Sequence, residues 1–327
     1  MKALIDYPLQ AAAKNLLASS RIGFILAPHA HAEPVIKFVE TLPPADREEI
    51  EILVGDAFQV NAKLCSLLPN LRWVHHFAAG LSDARTLDWE WIESAGIAIS
   101  TSKIQSISVS ELAIALLLSL AKKLPYLLES QHRKIYDSAM QPDILAGKTA
   151  LVVGTGNIGS TIGKRLANGL GMRVLGVNDD GAQLPDFEDI GTLADIGRFL
   201  PQADAVILAC PLTEATRGII DSAKLRLMKS SAYLINVARG QLVVQSALVE
   251  ALNAGRIAGA ALDVLEKEPP SKNDEIWQAK NLILTPHIAG NNQDYSIGLV
   301  NSFLKNLPFF LKGHPESMPS YANVKRY

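Results

Sequence analysis

Sulfur is scarce in this chain: Cys65 and Cys210 are the only cysteines among 327 residues. Two thiols so far apart in sequence build no disulfide framework, which excludes a small crosslinked scaffold and suits a reducing compartment. An excess of charge of either sign is also missing. Lys and Arg number 31 against 33 Asp and Glu, for a net charge of -2, so there is no broad field to hold a polyanion and nucleic acid is not an expected partner. No long apolar run is present. The most apolar stretch, 112–120, is bracketed by Glu111 and by Lys122 and Lys123, well short of the roughly 20 residues that a membrane span requires, and reads as a buried helix. The opening MKALIDYPLQ lacks the basic region, apolar core and small-residue cleavage site of a secretory signal, so a cytoplasmic location is expected. Internal repeats and low-complexity tracts are absent as well.

What the chain does have is an alternation of short apolar runs and helical spacing, over a length that favours two domains. Strand-like runs at 22–26, 52–54, 73–77 and 97–100 give the first hundred residues an α/β character. From Lys148 onward the alternation sharpens. Strands are predicted at 149–153, 173–177, 205–209, 233–236, 259–262 and 282–284, with helices at 158–169, 222–228 and 245–254, and Gly169, Gly171 and Gly255 stand where helices should stop. Six strands in this order predict an α/β, doubly wound parallel sheet of the nucleotide-binding kind. A last helical stretch, 295–311, follows the strands and is expected to return to the first domain.

The strand KTALVV runs into Gly154-Thr155-Gly156-Asn157-Ile158-Gly159 and then a helix, the context that a G-x-G-x-x-G match needs. Gly154 permits the tight turn and Gly156 lets the backbone approach a pyrophosphate. Gly159 lets the helix press on the strand, while the first amides of the helix, with Asn157 and Ile158, face the anion. A strand-to-helix turn without ligand is the plainer alternative. After the second strand comes Val177-Asn178-Asp179-Asp180. Asn178 falls where an acid usually bonds the adenosine ribose, Asp179 follows at once, and no Arg or Lys is close enough to pair with a 2'-phosphate, which favours NAD over NADP. A solvated turn would explain either aspartate alone.

Hydride delivery to a ketone leaves an alkoxide that must take a proton, a task suited to histidine. A carboxylate beside the ring stabilises the imidazolium and fixes its orientation. One guanidinium can bond both the carboxylate and the carbonyl of a 2-oxo acid. INVARGQLV around Arg239, GAALDVLEKEPP around Asp263 and Glu268, NLILTPHIAG around His287 and ACPLTEATRGII from Ala209 supply these groups. In order and spacing they resemble the D-isomer-specific 2-hydroxyacid dehydrogenase family over about residues 71–313.

The resemblance implies hydride transfer between NAD(H) and a small D-2-hydroxy or 2-oxo acid. In it, His287 matches the acid/base, Glu268 its partner and Arg239 the substrate-binding guanidinium. Asp263 is expected toward the nicotinamide and Pro211 in the loop lining the cofactor cleft. Ala79 and Gly80, in Phe77-Ala78-Ala79-Gly80-Leu81, match the loop whose amides hold the substrate carboxylate. The implied fold is a Rossmann cofactor domain (103–287) inserted into a smaller flavodoxin-like substrate domain (1–102 and 288–327). Its crossings act as hinges, and a helix beginning near Val109 and containing Glu111 contributes to a homodimer. Singly, Arg239, Glu268 and His287 are each explained as well by an ion pair, a solvated loop charge or a strand-end histidine; jointly, behind a nucleotide loop, they point to a site. An NAD-sensing, corepressor-like interaction protein of the same fold is the rival reading, and Glu268 argues against formate dehydrogenase chemistry. His75 and His76 have no third ligand in view, so no metal is expected.

Overall fold

The apolar runs of the sequence become parallel strands. The computed structural model describes residues 1–20, 22–27, 34–78, 81, 87 and 89–322. The chain divides into unit 1, residues 1–105 with 291–327, and unit 2, residues 106–290.

Unit 1 alternates β1 (Lys2–Ile5), α1 (Ala11–Ala18), β2 (Gly23–Leu26), α2 (Val35–Thr41), α3 (Pro44–Glu49), β3 (Ile50–Gly55), α4 (Ala62–Leu67), β4 (Trp73–His76), α5 (Trp89–Ser94) and β5 (Ala98–Thr101). Its strands pair in parallel in the order β2-β1-β3-β4-β5, the flavodoxin-like order. β1 lies inside this sheet but was not foreseen, because four residues starting at Lys2 carry too little periodicity. Trp73 and His75 point to one face of β4, with Val74 and His76 on the other. On the first face Trp73 stacks on Phe303, with ring centroids 5.2 Å apart. Phe303 belongs to the long helix Tyr295–Leu311, which packs on the unit 1 sheet as expected.

Unit 2 opens with α6 (Ser106–Ala121) and α7 (Leu124–His132). It continues through β6 (Thr149–Val153), α8 (Asn157–Leu170), β7 (Arg173–Val177), β8 (Asp189–Gly191), α9 (Ile196–Phe199), β9 (Ala205–Leu208), α10 (Ser222–Leu227), β10 (Tyr233–Asn236), α11 (Gln245–Asn253), β11 (Gly259–Leu262) and β12 (Leu282–Leu284). The helix Tyr295–Leu311 is therefore α12. All strands of the sheet are parallel, in the order β12-β11-β10-β9-β6-β7-β8. β6 is buried along its whole length, as both-face coverage demands: Val109, Leu117, Ile162 and Leu166 pack on one side, and Phe199, Leu225, Leu248 and Leu252 on the other.

Seven strands replace the six expected, since β8 is a three-residue edge strand with a polar start. α8 runs past Gly169 to Leu170 and is stopped by Gly171 at φ 63°, because an unencumbered glycine inside a helix is tolerated when a left-handed cap follows. The apolar 112–120 stretch lies within α6. Among the described residues no helix is long and apolar enough to cross a membrane.

Candidate active site

In a parallel sheet, every loop that follows a strand emerges at the same edge. Gly154 follows β6, Asn178 follows β7, Pro211 lies beyond β9, Arg239 beyond β10, Asp263 follows β11 and His287 lies beyond β12. The chain winds outward from β6 in both directions, so the loops after β6 and β9 flank the switch point at which such sheets bind ligands.

Gly154 has φ +95°, and a Cβ there would lie 2.5 Å from the Cys210 backbone nitrogen; a Cβ on Gly159 would meet the Gly154 carbonyl oxygen at 1.7 Å. Both positions exclude a side chain, and they bring the start of α8 against β6 and the Cys210 segment. At Gly156 a Cβ would meet nothing within 4 Å. The N-cap of α8 therefore has no side chain of its own and opens on free space, a cradle that fits a dinucleotide pyrophosphate approaching the helix N-terminus, where Asn157 and Ile158 begin the helix. Cys210 is buried, and burial pushes its thiol up to about 12, so it stays protonated and is no nucleophile.

Asn178 braces its own turn. Its amide donates to Thr155 Oγ1 (3.1 Å) and to the Ala182 carbonyl (3.0 Å), and its Oδ1 accepts from the Gly181 amide (2.6 Å). Asp179 beside it is exposed. Pro211 is exposed as well, and its carbonyl accepts from Thr216 Oγ1 (2.7 Å). That bond folds the following loop back on itself.

Arg239 is half-buried and donates from Nη1 to the Ala238 carbonyl (2.6 Å). The fully buried Asn236 fixes the turn that presents it, donating to the Arg239 carbonyl (2.8 Å) and accepting from the Ala238 amide (3.0 Å). Gly240 then touches the next loop: a Cβ there would sit 1.9 Å from the Leu265 carbonyl carbon. From that loop Glu268 accepts the Leu265 amide on Oε1 (2.8 Å) and receives His287 Nδ1–H on Oε2 (2.6 Å). His287 and Glu268 are both exposed. Since Nδ1 is spent on the carboxylate, Nε2 is the ring atom left to face a substrate.

His287 has φ 54°, a left-handed conformation unusual for a residue with a side chain. Asp263 holds it there. Its carbonyl accepts the His287 amide (2.8 Å), Oδ1 accepts from Thr285 Oγ1 (2.5 Å) and the Ile288 amide (3.0 Å), and Oδ2 accepts the Ala289 amide (2.9 Å). Thr285, Asn236 and Thr155 carried no signal in the sequence, because a bracing side chain is recognisable only once its partners are in place.

In unit 1, Phe77 and Ala78 continue from β4, while Ala79 and Gly80 lie outside the described residues. His75 and His76 point to opposite faces of their sheet. His75 Nδ1 lies 2.7 Å from Ser100 Oγ and His76 Nδ1 accepts the Ala57 amide (3.1 Å).

Comparison with known proteins gives this arrangement relatives. The model of the D-isomer specific 2-hydroxyacid dehydrogenase NAD-binding domain matches residues 114–289. A glyoxylate reductase of Pyrococcus horikoshii is 36% identical over 300 residues, spanning 85% of this chain and 88% of that one. A hydroxypyruvate reductase of Blautia hydrogenotrophica is 32% identical over 288 residues, spanning 83% and 87%. The solved structure of a D-isomer specific 2-hydroxyacid dehydrogenase family protein from Aeromonas salmonicida matches with a TM-score of 0.79 at 26% identity, over 99% of both chains.

Proposed function

The chain belongs to the D-isomer specific 2-hydroxyacid dehydrogenase family, and from that premise we propose that it reduces a small 2-oxo acid to the D-2-hydroxy acid, with NADH as the preferred partner. The observation that carries the reading is the 2.6 Å contact between His287 Nδ1 and Glu268 Oε2, at the same sheet edge as the glycine cradle.

When bound, the nicotinamide supplies the hydride. His287 gives a proton from Nε2 to the carbonyl oxygen of the 2-oxo acid, and takes one back from the hydroxyl in the reverse direction. Glu268 holds the ring in the orientation that aims Nε2 and stabilises the imidazolium. Arg239 bonds the substrate carboxylate and polarises the carbonyl. Asp263 braces the turn that carries His287, the turn that would stand toward the nicotinamide end. The relatives above make glyoxylate and hydroxypyruvate the first substrates to try, and as reductases they do not favour the corepressor reading.

Preference for NADH rests on Asp179. Its exposed carboxylate follows β7, and residues 178–189 contain no Lys or Arg, so a 2'-phosphate would meet repulsion and no partner. A homodimer is proposed on the apolar surface of α7 and the segment after it, where Leu128, Ile135, Tyr136 and Ile144 are 57%, 54%, 96% and 69% exposed. The free thiols of Cys65 and Cys210 support a cytoplasmic location.

The test is the loss of NADH or NADPH absorbance across glyoxylate, hydroxypyruvate and larger branched 2-oxo acids. Turnover of at least one acid, faster with NADH, is expected. His287→Ala should lower kcat by about 10²–10⁴-fold while NADH fluorescence titrations show unchanged binding. Tight NADH binding without turnover of any acid would instead favour a sensor.

A further inference from the structure

Two glutamates stand two residues apart in the loop after β11. Glu268 reaches His287, whereas Glu266 turns toward the segment that follows Arg239. The Glu266 carbonyl accepts from Gln241 Nε2 (2.9 Å), and its Oε1 accepts the Gln245 amide (2.9 Å). Gln245 is the first residue of α11, and the N-cap residue, Val244, makes no side-chain cap bond. The first amides of a helix have no partner within it and attract an anion. Glu266 therefore supplies, from another loop, the acceptor that Val244 lacks.

Segment 241–244 is a firm anchor. Leu242 and Val243 are buried. The Gln241 carbonyl accepts the Gly218 amide (2.8 Å), the Leu242 carbonyl accepts the Ile220 amide (3.0 Å) and the Val244 amide donates to the Ile220 carbonyl (3.0 Å). The loop that it holds is exposed from Glu266 to Pro269, and a segment with few buried contacts opens locally at low cost. Glu268 Oε1 accepts the Leu265 amide (2.8 Å), so residues 265–268 close a turn on themselves, and Glu266 fastens that turn to the anchor by backbone and side chain together. We propose that Glu266 is a positioning residue for the acid/base pair: by clamping its loop to the start of α11, it keeps the Glu268 carboxylate on His287 Nδ1. The inference rests on the reading of Glu268 and His287 given above. It assigns Glu266 no contact with the reacting atoms.

A carboxylate that only capped α11 would affect stability alone, whereas one that acts through Glu268 matters only while Glu268 is present. The two are separated in steady-state 2-oxo acid reduction by the full chain. Glu266→Gln keeps the reach and an acceptor oxygen, and its kcat should stay within about twofold of wild type. Glu266→Asp keeps the charge but shortens the arm, and Glu266→Ala removes it. Both should lower kcat about tenfold, as small misplacements of a reacting group do, with the Kd for NADH unchanged. In a Glu268→Ala background, Glu266→Ala should lower kcat by less than about twofold, because residues that act as a unit are not additive. Wild-type kcat in Glu266→Ala or Glu266→Asp overturns the inference and leaves the proposed reaction standing. So does a loss in Glu266→Gln that matches Glu266→Ala, or an equal loss from Glu266→Ala in both backgrounds. A wild type that turns over no 2-oxo acid overturns the proposed reaction, and the inference with it.

Discussion

The Asp263 carboxylate accepts three donors from residues 285–289 while its own carbonyl holds the His287 amide, so one residue defines the turn that carries the histidine. Replacing one carboxylate oxygen by an NH2 group turns a donor against a donor, at a penalty of about 1–3 kcal/mol. Asp263→Asn should therefore remain folded yet lose about 10–100-fold in kcat, the scale of loss that small misplacements of a reacting group produce; wild-type kcat in a variant with an unchanged melting temperature would show that the turn needs no carboxylate. His75 is a second single-residue case. It is buried between Trp73 and Phe303, shares Ser100 Oγ with Trp73 Nε1 and has no partner at Nε2. Burial, and then the neighbouring His76, lower its pKa from 6.5 to about 3. The unfolded chain takes up a proton near pH 6.5 that the native protein refuses. The stability due to the neutral ring is therefore complete above pH 6.5 and is lost as pH falls toward 3, by about 1.4 kcal/mol per pH unit. Urea titrations from pH 7.5 to 4.5 should show a shallower decline for His75→Phe than for the wild type, and parallel declines would mean that another group governs acid lability.

Loops and the elements they leave are coupled through glycines that admit no side chain. Gly240 lets the turn after Arg239 lie against the Leu265–Glu266 peptide, and Glu268, three residues further on, reaches His287. A methyl group at Gly240 must push these two loops apart. Gly240→Ala is expected to destabilise unit 2 by about 1–3 kcal/mol, as overpacking does, and to lower kcat/KM for the 2-oxo acid by more than it changes the Kd for NADH. An unaltered kcat/KM would mean that the loops need not touch. At the phosphate loop the same logic was legible beforehand, because glycine spacing between an apolar strand and a helix is a local signal. β6, β7, β10, β11, β12 and α12 have the bounds read from the sequence. β1 and β8 were missed, since strands of four and three residues are recruited by their neighbours rather than by their own pattern.

For the molecule as a whole, the exposed apolar residues of α7 and the following segment bear on assembly. Light scattering after gel filtration should report a dimer, and Leu128→Asp should give a monomer that still binds NADH. A wild-type monomer would remove the dimer proposal. The sequence by itself determined the α/β class, the doubly wound parallel sheet and the glycine loop, because each is written in short-range spacing of apolar residues and glycines. It also carried the motifs that mark Arg239, Glu268 and His287. Only the tertiary structure decided what the side chains do with one another: that Asp263 spends both oxygens on the His287 turn, that Asn178 donates to Thr155 and that Tyr295 reaches the carbonyl of Phe77, 218 residues away. Hydrogen-bond partners so far apart leave no mark on local periodicity. They meet because buried strands stack in parallel register and deliver their loops to one edge.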